Sequence, residues 1–139
     1  MRPVFCVAAL ALVASGCGAT SGDGGTPSTP DELTVTLRPT GADGPTHSWT
    51  LRCDPPAGDH PDPAAACAAL AELEAPFAPI PEGTACTEIY GGPATASVTG
   101  TYRGAAVDAT FGRANGCEID RWDKHAPIVD PEGSAAGAQ

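Results

Sequence analysis

Residues 50–67 have the sequence TLRCDPPAGDHPDPAAAC, in which two cysteines enclose a turn and the start of a helix. The residues that lead into the first cysteine, 48–52, alternate polar and apolar side chains, which is typical of a half-buried strand. A helix is predicted to begin near Asp62, because Pro63 suits the first helical turn and an alanine-rich segment follows. Pro76 is predicted to stop this helix. The stretch therefore predicts a strand, a turn and a helix joined at short range.

The rest of the predicted domain consists mainly of strands. Residues 33–37 (LTVTL) and 107–111 (VDATF) follow the two-residue period of a strand with one buried face. Arg103 and Gly104 separate the second of these runs from residues 98–102, as the two residues of a hairpin turn would. Because strands outnumber helices and the links are short, the sequence predicts an antiparallel sheet in a domain of the α+β class.

Four cysteines in this region indicate disulfide bonds, which form in extracytoplasmic compartments: Cys53, Cys67, Cys86 and Cys117. They could pair in three ways, and their spacing does not choose among them. Pairing in sequence order would close loops of about 15 and 32 residues, each stabilising the domain by about 3–4 kcal/mol. None of the spacings is a C-x-x-C, so a zinc site is not expected.

The N-terminus has the features of a bacterial signal peptide over residues 1–16. Arg2 supplies the positive charge, and residues 4–13 form an apolar region too short to span a bilayer. Small residues precede Cys17, as in the lipobox of bacterial lipoproteins, which predicts lipidation of Cys17. The alternative is an ordinary cleavage site with Cys17 incidental. The sequence predicts a secreted protein anchored to the outer face of the cell membrane through Cys17.

Composition sets the remaining boundaries. Residues 17–32 are rich in Gly, Ser, Thr and Pro, which predicts a flexible linker behind the lipidated cysteine. The domain is predicted to cover residues 33–129, and the small, polar residues 130–139 are predicted to form a disordered tail.

Charge excludes two classes of partner. The chain has seventeen acidic and seven basic side chains, with a formal net charge of −10. Nucleic acid and anionic membrane surfaces are therefore poor partners, and membrane contact is expected only through the lipid anchor.

No catalytic, metal or cofactor-binding site is predicted. His47, His60 and His125 are separated in sequence without paired ligand spacing, which predicts surface histidines. The serines lack a nucleophile motif, so the protein is not expected to be an enzyme or to need a cofactor.

Five segments of the chain carry a resemblance to a known family. They are TLRCDPPAGDHP (50–61), ACAAL (66–70), CTEIY (86–90), GTYRG (100–104) and NGCEI (115–119). Together they resemble the Streptomyces-type subtilisin inhibitors, in a stretch that covers most of the predicted domain.

The resemblance implies a five-stranded antiparallel sheet with two helices. It also implies two disulfides paired in sequence order, Cys53 with Cys67 and Cys86 with Cys117. The residues after Trp122 depart from the family pattern, because residues 126–129 (APIV) are the only apolar candidate for its C-terminal strand. The outer part of the sheet, and a homodimer built on it, are therefore doubtful.

The resemblance further implies a loop that blocks a serine protease by binding as a substrate would. The reactive bond falls between Glu88 and Ile89, so that Glu88 is the P1 residue. The surrounding inhibitory loop includes Ala85, Cys86, Thr87 and Tyr90. Asn115 is predicted to support the loop through its side-chain amide, with a solvent-facing turn residue as the alternative.

Two further departures bear on the target of the loop. Glu88 is acidic, and a carboxylate loses hydration in an apolar S1 pocket, so strong inhibition of subtilisin-like enzymes is not expected. A glutamyl-specific serine endopeptidase, with a basic S1 pocket, fits Glu88 better. Gly91 and Gly92 add one residue to the family pattern, which predicts a looser primed side. The competing interpretation is a surface lipoprotein that keeps the scaffold as a binding module and has lost inhibition.

Overall fold

The structure, a computed structural model, describes residues 30–137. The predicted signal peptide, Cys17 and the linker through residue 29 lie outside the described residues. The described elements are β1 (Leu33–Arg38), β2 (His47–Cys53), β3 (Pro56–Ala57), α1 (Pro63–Glu72), β4 (Thr95–Tyr102), β5 (Ala105–Phe111), α2 (Gly116–Val129) and a short 3₁₀ helix (Ser134–Gly137).

The strands form one antiparallel sheet in the order β3-β2-β1-β4-β5. In the middle of the sheet, β1 pairs with β2 through Val35 opposite Trp49 and with β4 through Val35 opposite Val98. The predicted α+β fold, with five antiparallel strands and two helices, is confirmed.

One face of this sheet carries the core. Leu33, Val35 and Leu37 alternate with polar residues along β1 and are at most 2% exposed. The helices contribute Leu70 from α1 and Trp122 from α2 to the same buried cluster. Strand alternation and helical periodicity therefore meet in a single core on one side of the sheet.

The quoted stretch folds largely as its residues predict. The carboxylate of Asp62 accepts a hydrogen bond from the Ala65 N–H and caps α1, with Pro63 as the first helical residue. The helix ends earlier than predicted, because Leu73 has an extended backbone and Pro76 already lies in the following turn. The Cys53–Cys67 disulfide joins the end of β2 to α1, as the resemblance implied.

The predicted hairpin between β4 and β5 is confirmed. Arg103 and Gly104 both have positive φ angles, 49° and 77°, which matches a two-residue turn with the twist of the strands. The carboxylate of Asp31 accepts hydrogen bonds from both of these backbone N–H groups. The turn is thereby tied to the residues that lead into β1.

The C-terminal part of the domain corrects two expectations. Residues 126–129 do not form a strand but complete α2, and Ile128 and Val129 are fully buried. The fifth strand of the sheet is instead β3, which lies beside β2 at one edge. The prediction of disorder is wrong for residues 130–137, which form a turn and a 3₁₀ helix because Asp130 and Ala135 are buried there.

The expectation of surface histidines is wrong for two of the three. His60 is 4% exposed and His125 is 5% exposed. A ring nitrogen of His60 lies 2.9 Å from the Ile128 carbonyl oxygen, and one of His125 lies 2.7 Å from the Arg121 carbonyl oxygen. Both rings therefore fill the core and bond to backbone groups that the sequence pattern could not place beside them.

Within residues 30–137 no helix is long and apolar enough to cross a membrane. The same residues contain no cluster of three or more His, Cys, Asp or Glu side chains with the geometry of a metal site.

Acid is expected to destabilise the domain through Asp59. Its carboxylate accepts hydrogen bonds from the Thr50 N–H and hydroxyl, and the backbone bond above all holds the pKa of Asp59 below its usual value of 3.8. Because the folded-state pKa is depressed, this stabilisation is present above the unfolded-state pKa and is lost as the pH falls through the folded value. Thermal unfolding of wild type and Asp59→Asn across this acidic range checks the prediction. The difference between the two should shrink below about pH 4, and a constant difference would contradict it.

Candidate functional site

The chain between α1 and β4 contains an exposed segment, residues 85–92, that we call the exposed loop. It has no helix or strand, and the side chains from Thr87 to Tyr90 are exposed. Ile89 is 60% exposed and Tyr90 69%, and they are the large apolar side chains that stand out from the surface of the described residues. Two adjacent apolar side chains held in water indicate a surface that is available to a partner.

Three anchors attach the exposed loop to residues 113–117. The Cys86–Cys117 disulfide is the covalent anchor, and it confirms the second pairing that the resemblance implied. The Gly116 N–H donates to the Thr87 carbonyl oxygen at 2.8 Å. The Gly91 N–H donates to the Arg113 carbonyl oxygen at 2.7 Å. The loop is therefore attached on both sides of the peptide bond between Glu88 and Ile89.

The central residues of the loop lie free between these anchors. In the described part of the chain, no hydrogen bond involves Glu88, Ile89 or Tyr90, and no ion pair involves the Glu88 carboxylate. The Glu88 carboxylate is thus exposed and has no partner among these residues. A cationic group on another molecule could reach it without displacing an internal contact.

Close packing at two glycines sets the distance between the loop and its support. A Cβ at Gly116 would lie 1.9 Å from Thr87 Oγ1, so the start of α2 approaches the loop backbone closely. A Cβ at Gly91 would lie 2.8 Å from Ile119 Cγ1 and 3.1 Å from Arg113 Cβ. Sequence analysis assigned no role to Gly116 or Arg113, because a glycine and a backbone carbonyl group form no recognisable motif.

Asn115 contacts the helix rather than the loop in the described structure. Its side-chain oxygen accepts a hydrogen bond from the Glu118 N–H at 3.0 Å, which makes Asn115 the N-cap of α2. This cap holds the first turn of α2, where Gly116 and Cys117 meet the loop. Direct bracing of the loop by the Asn115 amide stays a prediction.

The expected looseness of the primed side does not hold at Gly91 and stays a prediction for Gly92. Gly91 is anchored to Arg113 and packs against Ile119, so its position is fixed. Gly92 has a φ of 117° and open space where a side chain would be. Gly92 therefore provides the backbone conformation that a larger residue would resist.

We expect Gly91→Ala to loosen the loop, because the new methyl group overlaps Ile119 and pushes the chain away from Arg113. Overpacking of this kind costs about 1–3 kcal/mol of unfolding free energy. Chemical denaturation of Gly91→Ala, Ile119→Ala and the double variant measures the cost. The double variant should recover part of the loss, because Ile119→Ala removes the overlapping atoms. Simple additivity would show that the two residues do not interact.

Comparisons with known proteins identify one family. A family model described as subtilisin inhibitor-like matches residues 28–115. The match covers the sheet, α1 and the exposed loop, and it ends before α2 begins at Gly116.

Two curated relatives agree with this match. The chain is 42% identical over 77 residues to subtilisin inhibitor-like protein 1 of Streptomyces cacaoi, covering 52% of this chain and 69% of the relative. It is 42% identical over 74 residues to a subtilisin inhibitor of Streptomyces violaceus, covering 50% of each protein. Among solved structures, a chain from Streptomyces caespitosus sermetstatin in complex with Bacillus licheniformis subtilisin matches with 28% identity and a TM-score of 0.39, covering 67% of this chain and 91% of that chain.

Proposed function

The chain belongs to the subtilisin inhibitor-like family, and from this premise we propose that it inhibits a serine protease that binds the exposed loop as a substrate. Members of this family are protease inhibitors rather than enzymes. The observation that carries the proposal is the exposed loop itself, which is attached on both sides of Glu88–Ile89 and free between the attachments.

The reactive bond in this proposal is Glu88–Ile89. Glu88 enters the S1 pocket, Thr87 and Cys86 precede it, and Ile89 and Tyr90 occupy the primed side. All of these side chains except that of Cys86 are exposed before binding, so the protease can reach them without unfolding the domain. Because the anchors already fix the loop, little conformational entropy is lost when the protease binds.

The Cys86–Cys117 disulfide gives the loop a second property. Cys86 lies before the reactive bond and Cys117 after it, so cleavage at Glu88–Ile89 leaves the two fragments covalently joined. The Gly116 and Gly91 hydrogen bonds hold the new ends on the same support. The cleaved bond can then re-form in the active site, because the two fragments do not leave it as products.

The charge of Glu88 determines which protease fits. A carboxylate that enters an apolar S1 pocket loses its hydration without compensation. A glutamyl-specific endopeptidase would offer an Arg or protonated His to the carboxylate, and a charge-assisted hydrogen bond is about twice as strong as a neutral one. We therefore propose a glutamyl-specific serine endopeptidase as the preferred target and a subtilisin-like enzyme as a weaker one.

The N-terminal residues place the inhibitor outside the cell in this proposal. Residues 1–16 would direct secretion, and lipidation of Cys17 would hold the domain at the outer face of the membrane, close to proteases as they emerge. Incorporation of labelled fatty acid into wild type but not into Cys17→Ser tests this step. Release of all the protein into the medium without label would contradict the anchor.

One alternative function has an observation in its favour. An acidic P1 residue does not suit subtilisin, the protease that the relatives' names mention, which is consistent with a surface lipoprotein that uses the scaffold for binding alone.

Homodimerisation has less support, because the sheet face opposite the core carries small hydroxyl side chains, among them Thr34, Thr36 and Thr99.

Titration of a protease panel with the purified protein tests the proposed function. The panel contains a glutamyl endopeptidase, a subtilisin, a trypsin-like enzyme and a chymotrypsin-like enzyme. Stoichiometric loss of the glutamyl activity would support the proposal. If no enzyme is inhibited although both disulfides are formed, the binding-module alternative replaces it.

A further inference from the structure

The C-terminal turn, residues 130–136, is held by a buried carboxylate. Asp130 is 5% exposed and Ala135 is 2% exposed. The Asp130 carboxylate accepts hydrogen bonds from Ser134 N–H and Ser134 O–H at 2.8 Å and from Ala135 N–H at 3.0 Å. Three hydrogen bonds to one charged group fix the path of the turn and the direction of the Ala135 carbonyl group.

Arg113 connects this turn to the exposed loop. Its guanidinium group donates from Nη1 to the Ala135 carbonyl oxygen at 3.2 Å, and its Nε is buried without a hydrogen-bond partner among the described residues. Its own backbone carbonyl oxygen accepts the hydrogen bond from the Gly91 N–H. One residue therefore contacts the C-terminal turn with its side chain and the loop with its backbone.

The two sides of the reactive bond are anchored unequally. The side before Glu88 has a disulfide and the Gly116 hydrogen bond. The side after Ile89 continues into Gly91 and Gly92, which have no side chain to restrict the backbone, and its backbone anchor is the hydrogen bond from Gly91 to Arg113. The position of the Arg113 carbonyl group therefore matters most on the primed side.

We propose that the C-terminal turn positions the primed side of the exposed loop, with Asp130 and Arg113 as positioning residues. Asp130 holds the turn, the turn holds the Arg113 side chain, and Arg113 presents its carbonyl oxygen to Gly91. The consequence for inhibition rests on the proposed function, whereas the structural link does not. The turn lies beyond residue 115, where the family match ends.

Amide hydrogen exchange at two glycines tests the structural link. Asp130→Ala removes the acceptor of the turn, and Arg113→Met keeps the aliphatic stem but removes the guanidinium group. Each variant should exchange the Gly91 amide about tenfold faster than wild type, while the Gly116 amide, on the other side of the reactive bond, keeps its rate. General destabilisation would accelerate both amides. The control Glu132→Ala changes an exposed residue of the same turn and should leave both rates unchanged.

An unchanged Gly91 rate in folded Arg113→Met would overturn the proposal, and so would equal acceleration at Gly91 and Gly116. Arg113→Met keeps the test decisive if Asp130→Ala fails to fold, because the buried Asp130 network stays intact in it.

Inhibition separates this proposal from the proposed function. If wild type inhibits a protease, both variants should be cleaved at Glu88–Ile89 about tenfold faster while bound, and Glu132→Ala should behave as wild type. Equal cleavage rates in Asp130→Ala, Arg113→Met and Glu132→Ala would overturn the consequence for inhibition. If wild type inhibits no protease, the proposed function fails, and the exchange rates still decide whether the turn positions the loop.

Discussion

Replacing both Cys86 and Cys117 with serine is expected to convert the protein from an inhibitor into a substrate. The disulfide is the covalent anchor of the exposed loop and crosses the reactive bond, so its loss frees the loop and lets the cleaved ends separate. Inhibition should weaken by at least about 100-fold, because ordering a free loop costs roughly 0.5–1.5 kcal/mol for each immobilised side chain. Enzyme titration gives the inhibition constant, and mass spectrometry follows cleavage of Glu88–Ile89.

The other disulfide provides a matched control for stability. Replacing Cys53 and Cys67 with serine removes a link between β2 and α1, and both cysteines precede the reactive bond. Each disulfide stabilises the domain by about 3–4 kcal/mol on the chain-entropy estimate, so the two double variants should lose similar amounts of unfolding free energy. At a temperature where both remain folded, only the Cys86 and Cys117 variant should become a substrate. Similar inhibition by both would show that the loop does not depend on its disulfide.

Glu88→Met is expected to redirect the inhibitor from a glutamyl endopeptidase to subtilisin. Removing the carboxylate leaves the cationic S1 group of the first enzyme unpaired, and the thioether suits the apolar S1 pocket of the second. A change of about 2–4 kcal/mol in each direction corresponds to roughly 30-fold to 1,000-fold in each inhibition constant. Titration of both enzymes with both proteins measures the exchange.

Glu82→Met is the control for this experiment. Glu82 is an exposed acidic residue in the same connection between α1 and β4, but it precedes the exposed loop and is not part of the reactive bond. Its substitution changes the net charge and adds the same side chain, so any effect of charge alone should appear in both variants. If Glu82→Met and Glu88→Met shift the two inhibition constants equally, Glu88 is not the residue that enters S1.

Much of the fold follows from residue patterns that act over short distances. The alternation in residues 33–37 and 107–111 predicts strands, because successive side chains point to opposite faces of a sheet and one face is buried while the other is exposed to solvent. Asp62 and Pro63 predict the start of α1 because they meet the requirements of a helix N-terminus within one turn. The disulfide pairing lay beyond such patterns and came from the resemblance.

The errors concern residues whose environment is set by distant parts of the chain. Asp130 and Ala135 belong to a segment of small, polar residues whose composition is typical of a disordered tail. They are ordered because they are buried against Arg113 and α2. His60 and His125 carry no pattern that would place them beside backbone carbonyl groups of α2. In the same way, the hydrogen bonds that anchor the loop at Gly91 and Gly116 involve backbone atoms. Every residue has these atoms, so no residue type in the sequence indicates the anchors.

The central claim is that a protease binds the exposed loop at Glu88–Ile89 and fails to release it as product. Mass spectrometry of the protein, incubated with a catalytic amount of glutamyl endopeptidase and then reduced, tests this claim most directly. We predict cleavage between Glu88 and Ile89 alone, with fragments joined by the Cys86–Cys117 disulfide before reduction, and the same ratio of intact to cleaved protein whether the incubation starts from the intact or the cleaved form. Cleavage at other bonds, or complete conversion to cleaved protein that no longer binds the enzyme, would contradict the account.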